Sequence, residues 1–162
     1  MIKKISNWLP KDLNEFLLDK FLFHTPHTFG HTSHKDNLEE QFYQYEFDKD
    51  SLIDYLCLKL YRDCFLISSI HILRKYINIQ HSNMNGQFHT DEGTHTALYF
   101  PCPTNENGGQ FEYYENDKLE VIPYIQNQLI VFPARFLHRG MPFTNNKPRI
   151  TLAFKIKNET TI

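Results

Sequence analysis

The stretch Gln87–Phe100, QFHTDEGTHTALYF, contains two strand candidates, Gln87–Asp91 and Thr94–Phe100. The preceding turn ends in Asn85-Gly86, the strongest short-range hairpin signal. Turn residues separate further short strand candidates at about 8–12-residue spacing. These candidates are Gln110–Glu115, Glu120–Pro123, Gln128–Phe132, Leu137–Pro142 and Arg149–Lys155. Such a series predicts an antiparallel sandwich or barrel, although the linear order of strands does not choose between barrel types.

Upstream of this stretch the apolar spacing changes to that of helices. Four residues share one helix face: Leu13, Phe16, Leu17 and Phe21. Ser51–Arg62 predicts a second helix, with Ser51 as its N-cap, and His24–Asn37 reads as a loop because it contains Pro and Gly. The length of 162 residues fits one domain, residues 1–162. We expect a helical N-terminal part at about 1–64 and a β core at about 65–157.

Composition excludes several classes of protein. Lys and Arg number 17 against 19 Asp and Glu, so a generally basic, nucleic-acid-binding surface is not expected. No apolar run approaches the roughly 20 residues that span a bilayer, and polar residues interrupt any signal-peptide core near the N-terminus. Three cysteines without metal-binding spacing read as reduced thiols. We therefore expect a cytoplasmic protein with no membrane partner.

The tripeptide His89-Thr90-Asp91 carries the sharpest chemical pattern. Residues i and i+2 of a strand point to the same side, so His89 and Asp91 would direct an imidazole and a carboxylate to one point. They would form two thirds of a 2-His-1-carboxylate site, which binds Fe(II) and leaves positions open. Taken alone, the tripeptide is a weak signal that occurs often by chance, and it favours the plainer interpretation of a partly exposed His beside a strand-end Asp. His138, which follows an apolar strand and a Pro turn, is the candidate for the second His.

A second pattern lies at the start of the last strand candidate. Arg149 begins a strand whose other residues are mainly apolar, and a buried guanidinium is costly unless it is paired. Its planar fork matches a carboxylate. Thr151 faces the same side and adds a hydroxyl. The alternative is an Arg at a strand end that is solvated or paired with a neighbouring acid.

Together, His89-x-Asp91, His138 and Arg149-x-Thr151 resemble the 2-oxoglutarate- and Fe(II)-dependent dioxygenases, most closely the prolyl 4-hydroxylase-like branch. The likeness covers roughly 76–155 and includes the Gly108-Gly109 hairpin. The resemblance implies a mainly β (α+β) fold, a double-stranded β-helix of the jelly-roll or cupin-like type, with N-terminal helices packed on it. It also implies an oxidoreductase that uses Fe(II), 2-oxoglutarate and O₂, hydroxylates an unactivated C–H bond, and releases succinate and CO₂.

The same resemblance implies roles for individual residues. The catalytic metal ligands would be His89, Asp91 and His138. The C5 carboxylate of 2-oxoglutarate would be held by Arg149, Thr151 and Tyr99. Two residues on the preceding strand, Asn78 and Gln80, would add co-substrate contacts, although Gln80 stands where a Tyr is common.

Other functions remain open from sequence. The chain could be a catalytically silent β-barrel that binds a partner, or a cupin-like metalloenzyme that uses another metal without oxoglutarate. We expect a small-molecule or peptidyl substrate, disfavour nucleic acid, and leave the oligomeric state undecided. A run of histidines, His24, His27, His31 and His34, is interpreted as a polar loop rather than a second metal site.

Overall fold

The computed structural model describes residues 1–32, 41–65, 69–104 and 107–159. Within these ranges the helices are α1 (Lys11–Phe23) and α2 (Ser51–Cys64). The strands are β1 (Lys3–Ile5), β2 (Thr28–His31), β3 (Phe42–Glu46), β4 (Ser69–Gln80), β5 (His95–Phe100), β6 (Phe111–Glu115), β7 (Lys118–Ile122), β8 (Gln128–Pro133), β9 (His138–Gly140) and β10 (Arg149–Glu159). The mainly β, α+β class expected from sequence is confirmed.

The strands form two antiparallel sheets. The larger has the order β1-β8-β5-β10-β4-β3-β2, and the smaller has the order β7-β6-β9. Phe111 of the smaller sheet packs on Phe132 of the larger, with ring centroids 4.8 Å apart. The two sheets are separate ladders, and near the site the segment before β5 makes one isolated bridge to the smaller sheet, between His89 and His138 of β9. β10 lies at the centre of the larger sheet, so its inward-facing residues reach the space between the sheets.

The two helices bury apolar faces in the common core. α1 buries Leu17 and Phe21, and α2 buries a similar stripe along its length. The side chain of Asp50, and not the expected Ser51, caps α2 by accepting bonds from two backbone N–H groups. Asp50 also pairs with Lys20 of α1 at 2.8 Å. Among the described residues, neither helix is long and apolar enough to cross a membrane.

The N-terminal part is not purely helical, which corrects the expectation for 1–64. β1 pairs with β8, and β3 pairs with both β2 and β4. These short strands gain their hydrogen bonds from partners distant in sequence, so local periodicity does not reveal them. The expected loop His24–Asn37 contains β2, and its residues from 33 onward lie outside the described ranges.

The expected strand Gln87–Asp91 is also absent as a regular element. It makes only the isolated bridge of His89 to His138. The backbone bonds on either side of this bridge, from Gly86 to Gly140 and from Asp91 to Ala134, are single and do not extend it into a ladder. The i, i+2 relation of His89 and Asp91 nevertheless brings both side chains to one pocket.

Candidate metal centre

Three side chains converge in the pocket between the sheets. One ligand atom from each of His89, Asp91 and His138 lies within 4.8 Å of the others. Both Nε2 atoms lie 3.4 Å from the Asp91 carboxylate. The Nδ1 atoms lie 2.8 Å from the backbone oxygens of Gln87 and Phe136. Since a carbonyl oxygen only accepts, each Nδ1 carries a proton, and in the neutral ring Nε2 keeps the lone pair that a metal needs.

Backbone hydrogen bonds fix the segments that carry the three side chains. His89 and His138 exchange reciprocal N–H to carbonyl bonds of 2.9 Å, and the N–H of Asp91 donates to the oxygen of Ala134 at 2.9 Å. The ring of Phe132 packs edge-on against His138 at a centroid distance of 4.8 Å. The imidazole of His138 is therefore held in position by the hydrogen bonds of its backbone and by packing against the ring of Phe132.

Asp91 is held ionised in this pocket. Its side chain is only 4% exposed, and burial alone would raise its pKa, but His138, His89 and Lys155 hold that pKa far below its usual range. The hydroxyl of Thr96 donates to Oδ2 at 2.6 Å. Burial lowers the pKa of His138, which favours the neutral ligand form although Asp91 opposes this shift. The triad thus offers a carboxylate and imidazole nitrogens.

The sequence interpretation did not single out Lys155, which also enters this pocket. Its Nζ pairs with Oδ1 of Asp91, and it lines the cavity together with Arg149 and Thr151. Burial tends to lower the pKa of Lys155, but Tyr76 and Asp91 raise it. The sequence did contain a signal for Lys155. Residues 149, 151 and 155 share one face of β10, so Lys155 should point to the same side as Arg149 and Thr151.

Arg149 lies at another part of the same pocket, fully buried. Its Nε donates to the oxygen of Gly109 at 2.9 Å, and its Nη1 donates to Oε1 of Gln80 at 2.7 Å. Nη2 is buried without a hydrogen-bond partner. A Cβ on Gly140 would lie 3.0 Å from both terminal nitrogens, so the glycine makes room for the fork. Burial lowers the pKa of Arg149 to about 10, and the group remains a cation at neutral pH.

Gln80 is placed beside Arg149 rather than free for a ligand. Its Nε2 donates to the backbone oxygens of Met84 and Gly140, and its Oε1 accepts from Arg149. All its polar atoms are engaged, so Gln80 orients the guanidinium. Asn78 and Thr151 are cross-strand partners on β4 and β10, and both line the pocket.

Tyr99 is not brought to the pocket, which corrects the expectation that it holds a co-substrate carboxylate. Its hydroxyl lies on the opposite side of the larger sheet, hydrogen bonded to the side-chain oxygens of Asn14 and Asn127. Successive residues of β5 face opposite sides, and Leu98 is the one that lines the pocket. Burial raises the pKa of Tyr99 well above its ordinary value.

We expect Tyr99→Phe to leave co-substrate affinity unchanged and to lower the free energy of unfolding by about 1–2 kcal/mol. The reason is that two buried asparagine side chains lose a hydrogen-bond partner. Denaturant unfolding and titration with 2-oxoglutarate measure the two effects. Tyr114→Phe, at a partly exposed tyrosine of β6, is the control. A large loss of co-substrate affinity in the Tyr99 variant would contradict this placement.

The histidine run does not form a second metal site in the described part of the chain. His24, His27 and His31 each contact a different partner on their own segment. His34 lies outside the described ranges. Among the described residues, the grouping suited to a metal is the triad of His89, Asp91 and His138.

Several solved structures have a fold similar to that of this chain. A Pseudomonas putida prolyl-4-hydroxylase is 13% identical, with a TM-score of 0.71 over 98% of this chain and 93% of that one. A Trichoplax adhaerens prolyl hydroxylase, in complex with a hypoxia inducible factor peptide fragment, is 15% identical, with a TM-score of 0.73 over 97% and 82%. HygX from Streptomyces hygroscopicus, with nickel and 2-oxoglutarate bound, is 9% identical, with a TM-score of 0.77 over 96% and 82%.

These likenesses define the class of fold. It is the double-stranded β-helix of the 2-oxoglutarate and Fe(II) oxygenases, with prolyl hydroxylases among its structural neighbours. The fold expected from the sequence resemblance is confirmed. No protein-family model and no curated protein sequence matches the chain.

Proposed function

We propose that this protein is an Fe(II)- and 2-oxoglutarate-dependent dioxygenase that hydroxylates an unactivated C–H bond. One observation carries the proposal: the pocket that gathers His89, Asp91 and His138 is also lined by Arg149, whose Nη2 is buried without a hydrogen-bond partner. A metal-ligand set and a free cationic donor in one cavity fit a metal and a carboxylate-bearing co-substrate together.

The donor set of the triad fits Fe(II). Two neutral imidazole nitrogens and one carboxylate form the 2-His-1-carboxylate set, which leaves positions of an octahedral ion open. Backbone carbonyls fix both imidazole tautomers, and Thr96 orients the carboxylate. Such supporting contacts raise ligand basicity and limit rotation. We therefore assign His89, Asp91 and His138 as the metal ligands.

The far part of the pocket fits a carboxylate of the co-substrate. Nη2 of Arg149 is buried with no acceptor, which is costly unless a ligand supplies one. Thr151 contributes a hydroxyl two residues further along the same strand face, and Asn78 lies opposite it on β4. We assign Arg149 and Thr151 to the C5 carboxylate and Asn78 to the pocket wall, while Gln80 orients Arg149 indirectly.

Bound iron and 2-oxoglutarate would supply the oxidising chemistry, in which O₂ is consumed and succinate, CO₂ and a hydroxylated product are released. The protein residues do the positioning. Asp91 and the two imidazoles would hold the metal in the pocket that Leu98 and Phe111 also line, and Arg149 would bind the far carboxylate of the co-substrate. The buried walls limit access of water.

The class of substrate is proposed as a peptidyl residue or a small molecule. Solved neighbours carry either kind: the Trichoplax enzyme is in complex with a peptide fragment, and HygX has been solved with hygromycin B. A net charge of −2 does not favour nucleic acid. The competing function, a silent binding module of the same fold, would not require the converged triad or the free guanidinium nitrogen.

Anaerobic addition of Fe(II) and 2-oxoglutarate separates the two functions. An oxygenase should develop a visible metal-to-ligand charge-transfer band, whereas a silent module should give no band. Succinate release in air, followed by mass spectrometry for the gain of one oxygen atom, would then screen candidate substrates. No band and no succinate with the folded protein would overturn the proposal.

A further inference from the structure

The smaller sheet has an outer face that points away from the pocket. Phe88 and Arg139 each follow or precede a proposed metal ligand by one residue, His138 in the case of Arg139 and His89 in the case of Phe88. Successive residues of an extended chain face opposite sides. Both histidines line the pocket, whereas Phe88 and Arg139 do not. The two residues next to the ligands therefore lie together on the outer face.

Arg139 joins Phe88 to the smaller sheet. Its guanidinium carbon lies 4.4 Å from the centroid of the Phe88 ring, which is within the range of a cation–π contact. Its Nε donates to Oε2 of Glu112 on β6 at 2.8 Å, and its Nη2 lies 2.8 Å from the same oxygen. Nε2 of Gln110 donates to the other carboxylate oxygen at 3.0 Å. Both oxygens of Glu112 are thus engaged, and the guanidinium is fixed over the ring.

These contacts lie where backbone hydrogen bonds are sparse. The segment that carries His89 makes one isolated bridge to β9 rather than a ladder, with further single bonds from Gly86 and Asp91. The Phe88 ring also packs against the ring of Tyr114 on β6, at a centroid distance of 5.1 Å. Side-chain packing on the outer face therefore restrains a segment that the backbone holds at only a few points.

We propose that Arg139 is a positioning residue for the metal centre, which fixes the place of His89 relative to His138 from the outer face of the smaller sheet. This inference rests on the proposed function and adds to it a residue outside the pocket. Without the guanidinium, Phe88 loses its contact with β9, and the His89 segment keeps the single backbone bonds. The separation of the two imidazoles then varies more, which weakens metal binding because both must be held in place as ligands.

The first test is the affinity for Co(II) of Arg139→Met, a change that keeps a long side chain and removes its charge. Anaerobic calorimetric titration should give a dissociation constant about tenfold higher than in the wild type, as is typical when a residue that supports a ligand is lost. Arg139→Lys, which retains a cation beside the ring, should recover part of the loss. Arg135→Met, at an exposed arginine three residues before His138, is the matched control and should leave the constant unchanged.

The second test needs no metal. Amide hydrogen exchange, measured residue by residue by NMR on the metal-free protein, separates local opening from unfolding of the whole domain. In Arg139→Met the amide of His89, which donates to the oxygen of His138 at 2.9 Å, should exchange about tenfold faster, since the His89 segment opens locally. The amide of Leu152, on the central strand β10, reports on unfolding of the core and should change much less.

Two results would overturn the inference. One is an unchanged Co(II) constant in Arg139→Met, and the other is equal acceleration of the His89 and Leu152 amides, which would mean that Arg139 only stabilises the fold. Phe88→Leu repeats both tests if the Met variant does not fold by circular dichroism, because it removes the ring beneath the same guanidinium. Failure of the wild-type protein to bind Co(II) would instead reject the proposed function, and with it the metal-positioning role of Arg139.

Discussion

Asp91→Asn is expected to reduce succinate formation by about a thousandfold or more, which is about 4 kcal/mol of lost transition-state stabilisation. The amide has nearly the shape of the carboxylate, but it removes the single negative charge among the proposed metal ligands. Thr96 and both imidazoles contact the wild-type carboxylate, and we expect them to keep these positions around the amide. The change is therefore expected in metal binding rather than in pocket shape. Succinate assays and metal titration of the same preparation measure it.

The control for Asp91→Asn is Glu92→Gln, which changes the same charge at the exposed neighbouring residue. It should keep wild-type activity. A second comparison separates ligation from stability, because Asp91→Asn also leaves Lys155 without its ionic partner. Adding Lys155→Met should recover lost stability and should not recover turnover. Full turnover in Asp91→Asn would remove this residue from the metal site.

Arg149→Gln is expected to raise the KM for 2-oxoglutarate by about a hundredfold, with a smaller change in kcat at saturation. A charge-assisted hydrogen bond to a carboxylate contributes about 2–3 kcal/mol, and each 1.4 kcal/mol is tenfold in affinity. The free Nη2 is the atom whose partner the co-substrate would provide. Initial rates of succinate release against 2-oxoglutarate concentration give both constants.

Arg135→Gln, at an exposed arginine, is the matched control and should leave the KM unchanged. Arg149→Gln should also lower stability, since Gly109 and Gln80 each lose a donor. The unfolding midpoint must therefore be measured beside the kinetics. If the folded variant had a wild-type KM, the co-substrate could not be bound through Arg149.

The part of the site that follows local geometry could be predicted from sequence. His89 and Asp91 are two residues apart, and that separation alone directs both to one side even though no regular strand forms there. The same rule applies to Arg149 and Thr151 on β10. The sequence also predicts His138 as the third ligand, because it follows an apolar strand and the site needs a second His. In the structure it lies beside the other two ligands.

What could not be predicted depends on contacts between distant segments. The side of β5 that faces the pocket is set by its pairing with β8 and β10, so the role that the resemblance implies for Tyr99 does not transfer to a side chain on the other face. β1 and β3 have partners far along the chain, which no local pattern reveals. Strand alternation puts residue 155 on the same face as Arg149 and Thr151, but the ion pair with Asp91 that accompanies its burial is a contact between distant segments.

The backbone bridge between His89 and His138 has a consequence for how the site is assembled. These residues exchange two hydrogen bonds, and three residues earlier Gly86 donates to Gly140 on the same strand β9. The chain segments that carry the two imidazoles are therefore held together by backbone hydrogen bonds, which do not depend on a metal ion. Ordering a flexible segment would cost about 1–2 kcal/mol for each residue fixed. The site is preorganised, so a metal that enters it meets ligands already in place and its binding energy is not consumed in arranging the backbone.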